Sequence, residues 1–249
     1  MMTLHLLSFR PDFDRLLRLA HREKLLPPGG DLGYALHAVF AASFGEGAPR
    51  PFRLFSPGER GGGPAGRLLA YSRRPLAELT AHAAAYADPA FAAPLTLEEA
   101  EEKIMPTDFP AGTRLGFEVR IRPVARTGAS ADGTVGARER DVYRGAAAGE
   151  AAHEARARVY ADWLTRQFGR DDAARVECSE ATSLGRTRLM ARDRSSDARA
   201  PTAVDGPDVC FTGELVVEAS AAFAGLLTRG VGRFRAFGFG MVLLRPPRH

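Results

Sequence analysis

Tyr34 and His37 are the residue pair best suited to proton-transfer chemistry. They lie within Asp31-Leu32-Gly33-Tyr34-Ala35-Leu36-His37, and side chains three positions apart share one face of a helix. A phenol and an imidazole on one face would both reach a single substrate. Histidine transfers protons near neutral pH because its ordinary pKa is about 6.5. A lone helical histidine also occurs as a structural or simply exposed residue, and the spacing alone leaves both interpretations open.

A glycine-rich segment near the C-terminus is the second candidate. It comprises Gly230-Val231-Gly232-Arg233-Phe234-Arg235-Ala236-Phe237-Gly238-Phe239-Gly240. Glycines let a backbone approach an anion closely, and arginines add charge. The residues that would contact phosphate are therefore Gly230, Gly232, Arg233, Arg235, Gly238 and Gly240. The segment leaves a predicted helix and enters a strand, and no Gly-Lys-Ser/Thr follows, so it is neither a dinucleotide-binding loop nor a P-loop. A structural turn between helix and strand is the alternative.

Arginine dominates the basic residues of the chain. Lysine and arginine number 34 against 30 acidic residues, for a net charge of +4, and all but two of the 34 are arginine. The rigid guanidinium fork suits bidentate contacts to phosphate. The candidates for contact with a polyanion are Arg138 and Arg140 in a stretch of alternating charge, and Arg186 and Arg188 on a predicted hairpin. A G+C-rich genome would produce the same bias, and solvated surface charge is the alternative for each arginine.

Composition indicates a globular protein of 249 residues, 45% hydrophobic and 26% charged. No apolar run in the sequence is long enough to span a membrane, and the first residues lack the basic lead and apolar length of a secretory signal. Cys178 and Cys210 are too few for a disulfide framework, and no histidine has metal-ligand spacing to a carboxylate or cysteine. We therefore expect a cytoplasmic protein with no bound metal, no small-molecule cofactor and no membrane partner.

Hydrophobic periodicity predicts the same order of elements in each half of the chain. In the first half it predicts strands at 3–9, 52–56, 68–72 and 103–108, with helices at 13–26, 31–44 and 76–86. In the second half it predicts strands at 115–122, 174–192, 209–217 and 239–245, helices at 151–168 and 219–228, and loops at 127–136 and 193–207. Strand, helix, strand, strand, helix, strand is the order of a ferredoxin-like fold. The predicted class is α+β, with two tandem ferredoxin-like (RRM-like, split βαβ) domains at 1–110 and 111–249; sheets of this kind often bind single-stranded RNA.

Taken in order, these motifs resemble those of the CasE family, the CRISPR repeat-RNA endoribonucleases of Cascade-type (type I-E) systems within the RAMP superfamily. One matching stretch is the Tyr-x-Leu-His helix at 31–40, with Phe44 after it. The other comprises Val209-Cys210-Phe211-Thr212-Gly213-Glu214-Leu215-Val216-Val217, then Leu226-Leu227-Thr228-Arg229-Gly230-Val231-Gly232 and Ala236-Phe237-Gly238-Phe239-Gly240. With weaker similarity at 117–123 and 163–176, the resemblance spans nearly the whole chain.

The resemblance implies a metal-independent endoribonuclease. It would cut the repeat hairpins of CRISPR precursor transcripts into mature guide RNA with 2′,3′-cyclic phosphate and 5′-hydroxyl ends. By this match His37 acts in acid/base catalysis, and Tyr34 positions or stabilises the reacting groups. The RNA 2′-hydroxyl is the nucleophile, so the chemistry needs no protein nucleophile. The implied partners are CRISPR repeat RNA, retained after cleavage, and the other Cascade subunits.

Some features depart from the family. The stretches 125–136 and 193–205 match no pattern of the family, and Arg235 replaces a lysine common in the family's glycine loop. Basic residues that bind RNA vary in position across the family, so Arg138, Arg140, Arg186 and Arg188 are assigned from charge and placement. One alternative is a catalytically inactive RAMP-type RNA-binding subunit, which would need neither Tyr34 nor His37. Another is a small-molecule enzyme with a nucleotide-binding loop, which the position of the loop after a helix disfavours.

Overall fold

The computed structural model describes residues 3–127, 138–144, 150–191 and 202–247. The helices are α1 (Phe13–Arg22), α2 (Gly33–Phe44), α3 (Leu76–Tyr86), α4 (Pro89–Ala92), α5 (Glu150–Phe168) and α6 (Ser220–Arg229). The strands are β1 (Leu4–Phe9), β2 (Phe52–Phe55), β3 (Arg67–Ser72), β4 (Glu101–Met105), β5 (Arg114–Ile121), β6 (Val124–Thr127), β7 (Arg138–Asp141), β8 (Ala174–Ala191), β9 (Thr202–Val217) and β10 (Val242–Arg245). A short 3-10 turn, Arg235–Phe237, lies between α6 and β10.

Two four-stranded antiparallel sheets share one topology. The first has the order β2-β3-β1-β4 and the second β10-β5-β9-β8. In each sheet the first strand in sequence lies between the third and the fourth, the order that the split βαβ arrangement produces. The predicted α+β class with tandem ferredoxin-like units is confirmed. The first sheet ends in sequence at Met105 and the second begins at Arg114, and the domain boundary at residue 110 stays a prediction.

One face of the first sheet is covered by helices. Strand side chains alternate between the two faces of a sheet, and β1 has apolar residues on both. Leu7 and Phe9 of β1 join Leu16 of α1 and Phe40 of α2 in one buried cluster. This burial fixes α2, the helix that carries the candidate tyrosine and histidine, over the first sheet.

The opposite face of the first sheet meets the second half of the chain. Leu4 of β1 and Tyr71 of β3 share a buried cluster with Phe117 of β5 and Trp163 of α5. The Tyr71 hydroxyl also donates a hydrogen bond to the Val242 carbonyl oxygen at 2.8 Å. Because the two halves share this core, side chains from both are held in a fixed relation at their junction.

Both hairpins of the second half differ from the sequence-based expectation. β6 and β7 form a separate two-stranded ribbon that the periodicity did not predict. Of the loop expected at 127–136, Thr127 ends β6, and residues 128–136 lie outside the described residues. The expected loop at 193–207 is wrong for 202–207, which form the start of β9 and pair with β8, and its residues 193–201 lie outside the described residues. Asp205 accepts hydrogen bonds from Arg186 across this ladder at 2.6 and 2.8 Å. Because residues 202–207 pair with β8, this polar sequence, typical of a loop, forms the start of β9.

The β8–β9 ladder yields a test of the fold. A Cβ on Gly213 would overlap the Cys178 carbonyl oxygen on the neighbouring strand, whereas the nearest atom to a Cβ on Gly185 is 4.0 Å away. We expect Gly213→Ala to lower the free energy of unfolding by about 1–3 kcal/mol, since overpacking forces the backbone to shift. Gly185→Ala should change it by less than about 1 kcal/mol. Urea denaturation of both variants measures this, and equal losses would contradict the described packing.

Candidate active site

α2 begins beside the β8–β9 hairpin, two residues after its expected start. Asp31 lies before the helix, and its carboxylate accepts a hydrogen bond from the Gly33 amide at 2.6 Å. The Asp31 amide donates to the Arg188 carbonyl oxygen of β8 at 2.9 Å. These bonds fix the first turn of α2, and with it Tyr34, against the second half of the chain.

Tyr34 and His37 both contact Phe237 of the glycine-rich segment. The Tyr34 and Phe237 rings stack with their centroids 5.8 Å apart and their planes at 8°. The His37 ring lies 4.9 Å from that of Phe237 and 6.2 Å from that of Tyr34. A Cβ on Gly33 would overlap the Phe237 carbonyl oxygen, so this approach requires glycine. The two candidate motifs, about two hundred residues apart in sequence, therefore form one site.

His37 is half-buried at this junction, and its pKa lies below the ordinary value. Burial is the larger cause because it disfavours the charged imidazolium, and the positive charge of Arg50 adds to it. His37 is therefore mainly neutral near pH 7, the form that accepts a proton. Tyr34 beside it is 8% exposed.

The glycine-rich segment is a tightly closed turn between α6 and β10. Its four candidate glycines, Gly230, Gly232, Gly238 and Gly240, all have positive φ, between 72° and 87°. The Val231 amide donates to the Gly240 carbonyl oxygen at 2.8 Å, and the Gly240 amide donates to the Arg120 carbonyl oxygen at 2.7 Å. A Cβ on Gly240 would overlap the Val231 carbonyl oxygen, so only glycine fits there. The glycines thus shape the turn, and their contact with phosphate stays a prediction.

Arg120 of β5 joins the start of α2 to β9. Its guanidinium donates to Asp31 at 2.8 Å and to both carboxylate oxygens of Asp208 at 2.8 and 2.5 Å. It also lies over the Phe239 ring, 4.4 Å from the centroid. Burial acts to lower the pKa of Arg120, but the hydrogen bonds and charges of Asp208 and Asp31 outweigh it and raise the pKa. The Arg120 side chain therefore stays charged although it is only 10% exposed.

Arg122 lies two residues further along β5 and is 1% exposed. Its guanidinium donates to the carbonyl oxygens of Thr187 at 3.3 Å and Val204 at 2.9 Å, one on each strand of the β8–β9 hairpin. It lies 5.0 Å from the centroid of the Phe234 ring. Burial lowers the pKa of Arg122. Arg122 thus connects the β8–β9 hairpin to the glycine-rich segment.

Arginines concentrate around the glycine-rich segment. Arg233 pairs with Glu139 of β7, and Arg235 donates to the Arg229 carbonyl oxygen at 2.7 Å. Burial lowers the pKa of Arg235, and the positive charges of Arg229, Arg50 and Arg233 lower it further. Such mutual repulsion marks a surface with excess positive charge, the kind that attracts phosphate.

The remaining candidate arginines lie on the two hairpins. Arg186 is exposed but donates to Asp205 across the β8–β9 ladder. Arg188 is exposed next to the start of α2, and Arg140 is exposed on β7. Arg138 begins β7, and its side chain is not described. Contact of any of these four with RNA stays a prediction.

A cleft of about 320 Å³ opens between β2 and the β8–β9 hairpin. Asp31, Arg120 and Asp208 line it together with Arg53 of β2 and Arg186 of β8. The cleft therefore connects the start of α2 with an exposed hairpin arginine. In the described part of the chain, no group of three or more histidine, cysteine, aspartate or glutamate side chains is placed to hold a metal ion. None of the helices described there is long and apolar enough to cross a membrane.

Arg50, Arg120 and Asp208 lie at the site but belong to none of the sequence motifs. Arg50 precedes β2 and belongs to no motif, and Asp208 falls in what the sequence predicted to be the edge of a loop. Arg120 alternates with apolar neighbours along β5, a pattern that predicts a solvent-facing side chain, whereas its side chain is only 10% exposed.

Solved structures of CRISPR proteins share this fold over nearly the full length of both chains. A CRISPR endoribonuclease Cse3 bound to a 19-nucleotide RNA has a TM-score of 0.61 and 18% identity, covering 98% of this chain and 100% of that one. Cas6e from Escherichia coli str. K-12 has a TM-score of 0.53 and 18% identity, covering 99% and 100%. A chain of a CRISPR RNA-guided surveillance complex, pre-nicking, has a TM-score of 0.53 and 15% identity, covering 98% and 100%.

The family comparison agrees with these folds. No curated protein sequence matches the chain. A family model described as "CRISPR associated protein" matches residues 9–246, so the match includes both halves and every candidate site residue. The resemblance to CasE seen in the sequence is confirmed at the level of family and fold, and this chain belongs to the CRISPR associated protein family.

Proposed function

We propose that this protein is an endoribonuclease that cleaves the repeat hairpins of CRISPR precursor transcripts. The observation that carries the proposal is the placement of His37 and Tyr34 against Phe237, beside the arginines of the glycine-rich segment. A proton-transfer group next to excess positive charge suits cleavage of a phosphodiester. Similarity in fold to a CRISPR endoribonuclease bound to RNA, and membership of the family, support it.

The proposed chemistry is a transfer within the RNA backbone. Neutral His37 takes the proton of the 2′-hydroxyl as that oxygen attacks the adjacent phosphorus. The bond to the 5′-oxygen breaks, and this oxygen takes up a proton from water, which leaves a 2′,3′-cyclic phosphate and a 5′-hydroxyl; the proton on His37 then returns to solvent. Because the RNA supplies the nucleophile and arginines stabilise the developing charge, we propose that the reaction needs no metal ion. Tyr34 orients the reacting groups from its stacked position on Phe237.

The proposed partners are the repeat hairpin and the other subunits of Cascade. We propose that the exposed arginines Arg140, Arg186 and Arg188 of the two hairpins hold the RNA backbone, and that Arg233 and Arg235 hold it at the glycine-rich segment. We propose that the product stays bound and that the protein carries it into the complex. Similarity to a chain of an RNA-guided surveillance complex supports this partner.

The first prediction from the proposed function concerns His37→Ala. With a labelled repeat hairpin under single-turnover conditions in excess EDTA, we expect the wild type to cut and the variant to cut about 10²-fold or more slowly, because the general base is lost. RNA affinity should be nearly unchanged, since the positively charged surface stays intact. The product ends are checked for a 2′,3′-cyclic phosphate.

His82→Ala is the matched control, because His82 is a partly buried helical histidine on α3 whose ring contacts that of Tyr86 at a tilted angle, outside the site. It should cut at the wild-type rate. Cleavage by His37→Ala at the wild-type rate would refute the assigned role of His37. Binding without cleavage by any of the three proteins would instead favour the inactive RNA-binding subunit.

The second prediction is the pH dependence of cleavage. Burial and the charge of Arg50 lower the pKa of His37, so the base form persists below the ordinary histidine value of about 6.5. We expect kcat/KM to rise with pH through a single limb centred below that value and then to level off. Profiles measured from pH 4.5 to about 8 test this. A rate that falls as pH rises through this range would assign catalysis to the protonated imidazole instead.

The third prediction concerns Arg235→Gln. Loss of one phosphate contact should weaken RNA binding and reduce the slope of log Kd against log salt concentration by about 0.7–0.9. Arg18→Gln is the control, since Arg18 is exposed on α1 and its substitution changes the net charge by the same amount. Filter binding at a series of salt concentrations measures both. An unchanged slope for Arg235→Gln would remove this residue from the interface.

A further inference from the structure

Arg50 is an exposed arginine at the junction of the two halves. The described residues provide it with no ion pair to a carboxylate, whereas neighbouring Arg233 pairs with Glu139 and Arg229 pairs with Asp171 at 3.1 Å. Arg235 likewise makes a bond only to a carbonyl oxygen. Two guanidinium groups beside the site thus keep their charge available to an anion.

Backbone contacts fix where Arg50 lies. Its amide donates to the Tyr71 carbonyl oxygen of β3 at 2.9 Å. The next residue, Pro51, has its Cγ atom 2.9 Å from the position of a Cβ on Gly230, at the start of the glycine-rich segment. Arg50 is therefore anchored to the first sheet on one side and lies beside the glycine-rich segment on the other.

Phe52, the residue after Pro51, contacts α2. The Phe52 ring packs edge-on against Phe40 of α2, with centroids 5.3 Å apart, and lies 3.3 Å from the position of a Cβ on Gly238. Phe40 is three residues after His37 and shares its side of the helix. The segment 50–52 therefore runs between the helix of His37 and the segment of Arg235. In agreement, the charge of Arg50 lowers the pKa of both His37 and Arg235.

We propose that Arg50 is a catalytic residue that binds a nonbridging oxygen of the reacting phosphate, together with Arg235 and next to His37. The inference rests on the proposed function and adds to it a residue outside both sequence motifs. A guanidinium group donates two parallel hydrogen bonds to phosphate oxygens, and these strengthen as negative charge builds up in the phosphorane. Arg50 therefore contributes more to the transition state than to binding of the substrate.

The test compares Arg50→Gln and Arg50→Lys with Arg18→Gln, which removes an exposed charge on α1 outside the site. With saturating protein and a labelled repeat hairpin, we expect Arg50→Gln to cut about 10²–10³-fold more slowly. Arg50→Lys should recover part of the rate because it keeps the charge and loses the fork. Affinity for a hairpin with a 2′-deoxy sugar at the cleavage site should fall less than tenfold. Melting temperatures within about 2 °C of the wild type exclude a folding defect.

Each other outcome overturns a specific claim. Wild-type rates for Arg50→Gln, or an equal loss for Arg18→Gln, would show that Arg50 has no specific part in the reaction. A large loss of affinity with an unchanged rate at saturation would make Arg50 a binding residue for a phosphate that does not react. Failure of the wild type and Arg18→Gln to cut at all would instead overturn the proposed function.

Discussion

The ion-pair network of Arg120 is the interaction on which the site depends. One buried guanidinium joins Asp31 before α2 to Asp208 on β9 and lies over Phe239 of the glycine-rich segment. Its backbone carbonyl oxygen also accepts the Gly240 amide. Removing one partner from a buried ion pair leaves an uncompensated charge, which costs about 3–5 kcal/mol. The start of α2, two strands of the second sheet and the glycine-rich segment are therefore held in one geometry.

This constraint explains how residues distant in sequence become one site. Tyr34 lies one helical turn after Asp31. Because Asp31 is held by Arg120, the position at which Tyr34 and His37 contact Phe237 is fixed as well. Gly33 permits the contact, because any side chain there would overlap the Phe237 carbonyl oxygen. Rings held in this way are oriented before substrate binds, and such preorganisation is what acid/base catalysis requires.

Local sequence pattern predicted the elements of the fold well but not the contacts between them. The apolar spacing of α2 and the alternation of β5 predict both elements to within two residues of their observed ends. The same alternation places Arg120 and Arg122 on a solvent-facing side, yet Arg122 is 1% exposed. The glycine-rich segment folds over that side of β5, bringing Phe234 and Phe239 onto the two guanidinium groups. Periodicity describes one strand at a time, so it contains no information about a segment more than one hundred residues away.

The arginines of the site form two groups, one buried and one nearer the surface. Arg120 is buried and neutralised by two carboxylates, and Arg122 is buried and satisfied by backbone carbonyl oxygens, so both are used within the protein. Arg50 and Arg235 lie further out, near His37, where the positive charge of Arg50 lowers the pKa of both His37 and Arg235. Like charges held together are unfavourable until an anion arrives between them. In the proposed function, a phosphodiester that binds between these arginines relieves their repulsion, and the neutral imidazole of His37 lies beside it.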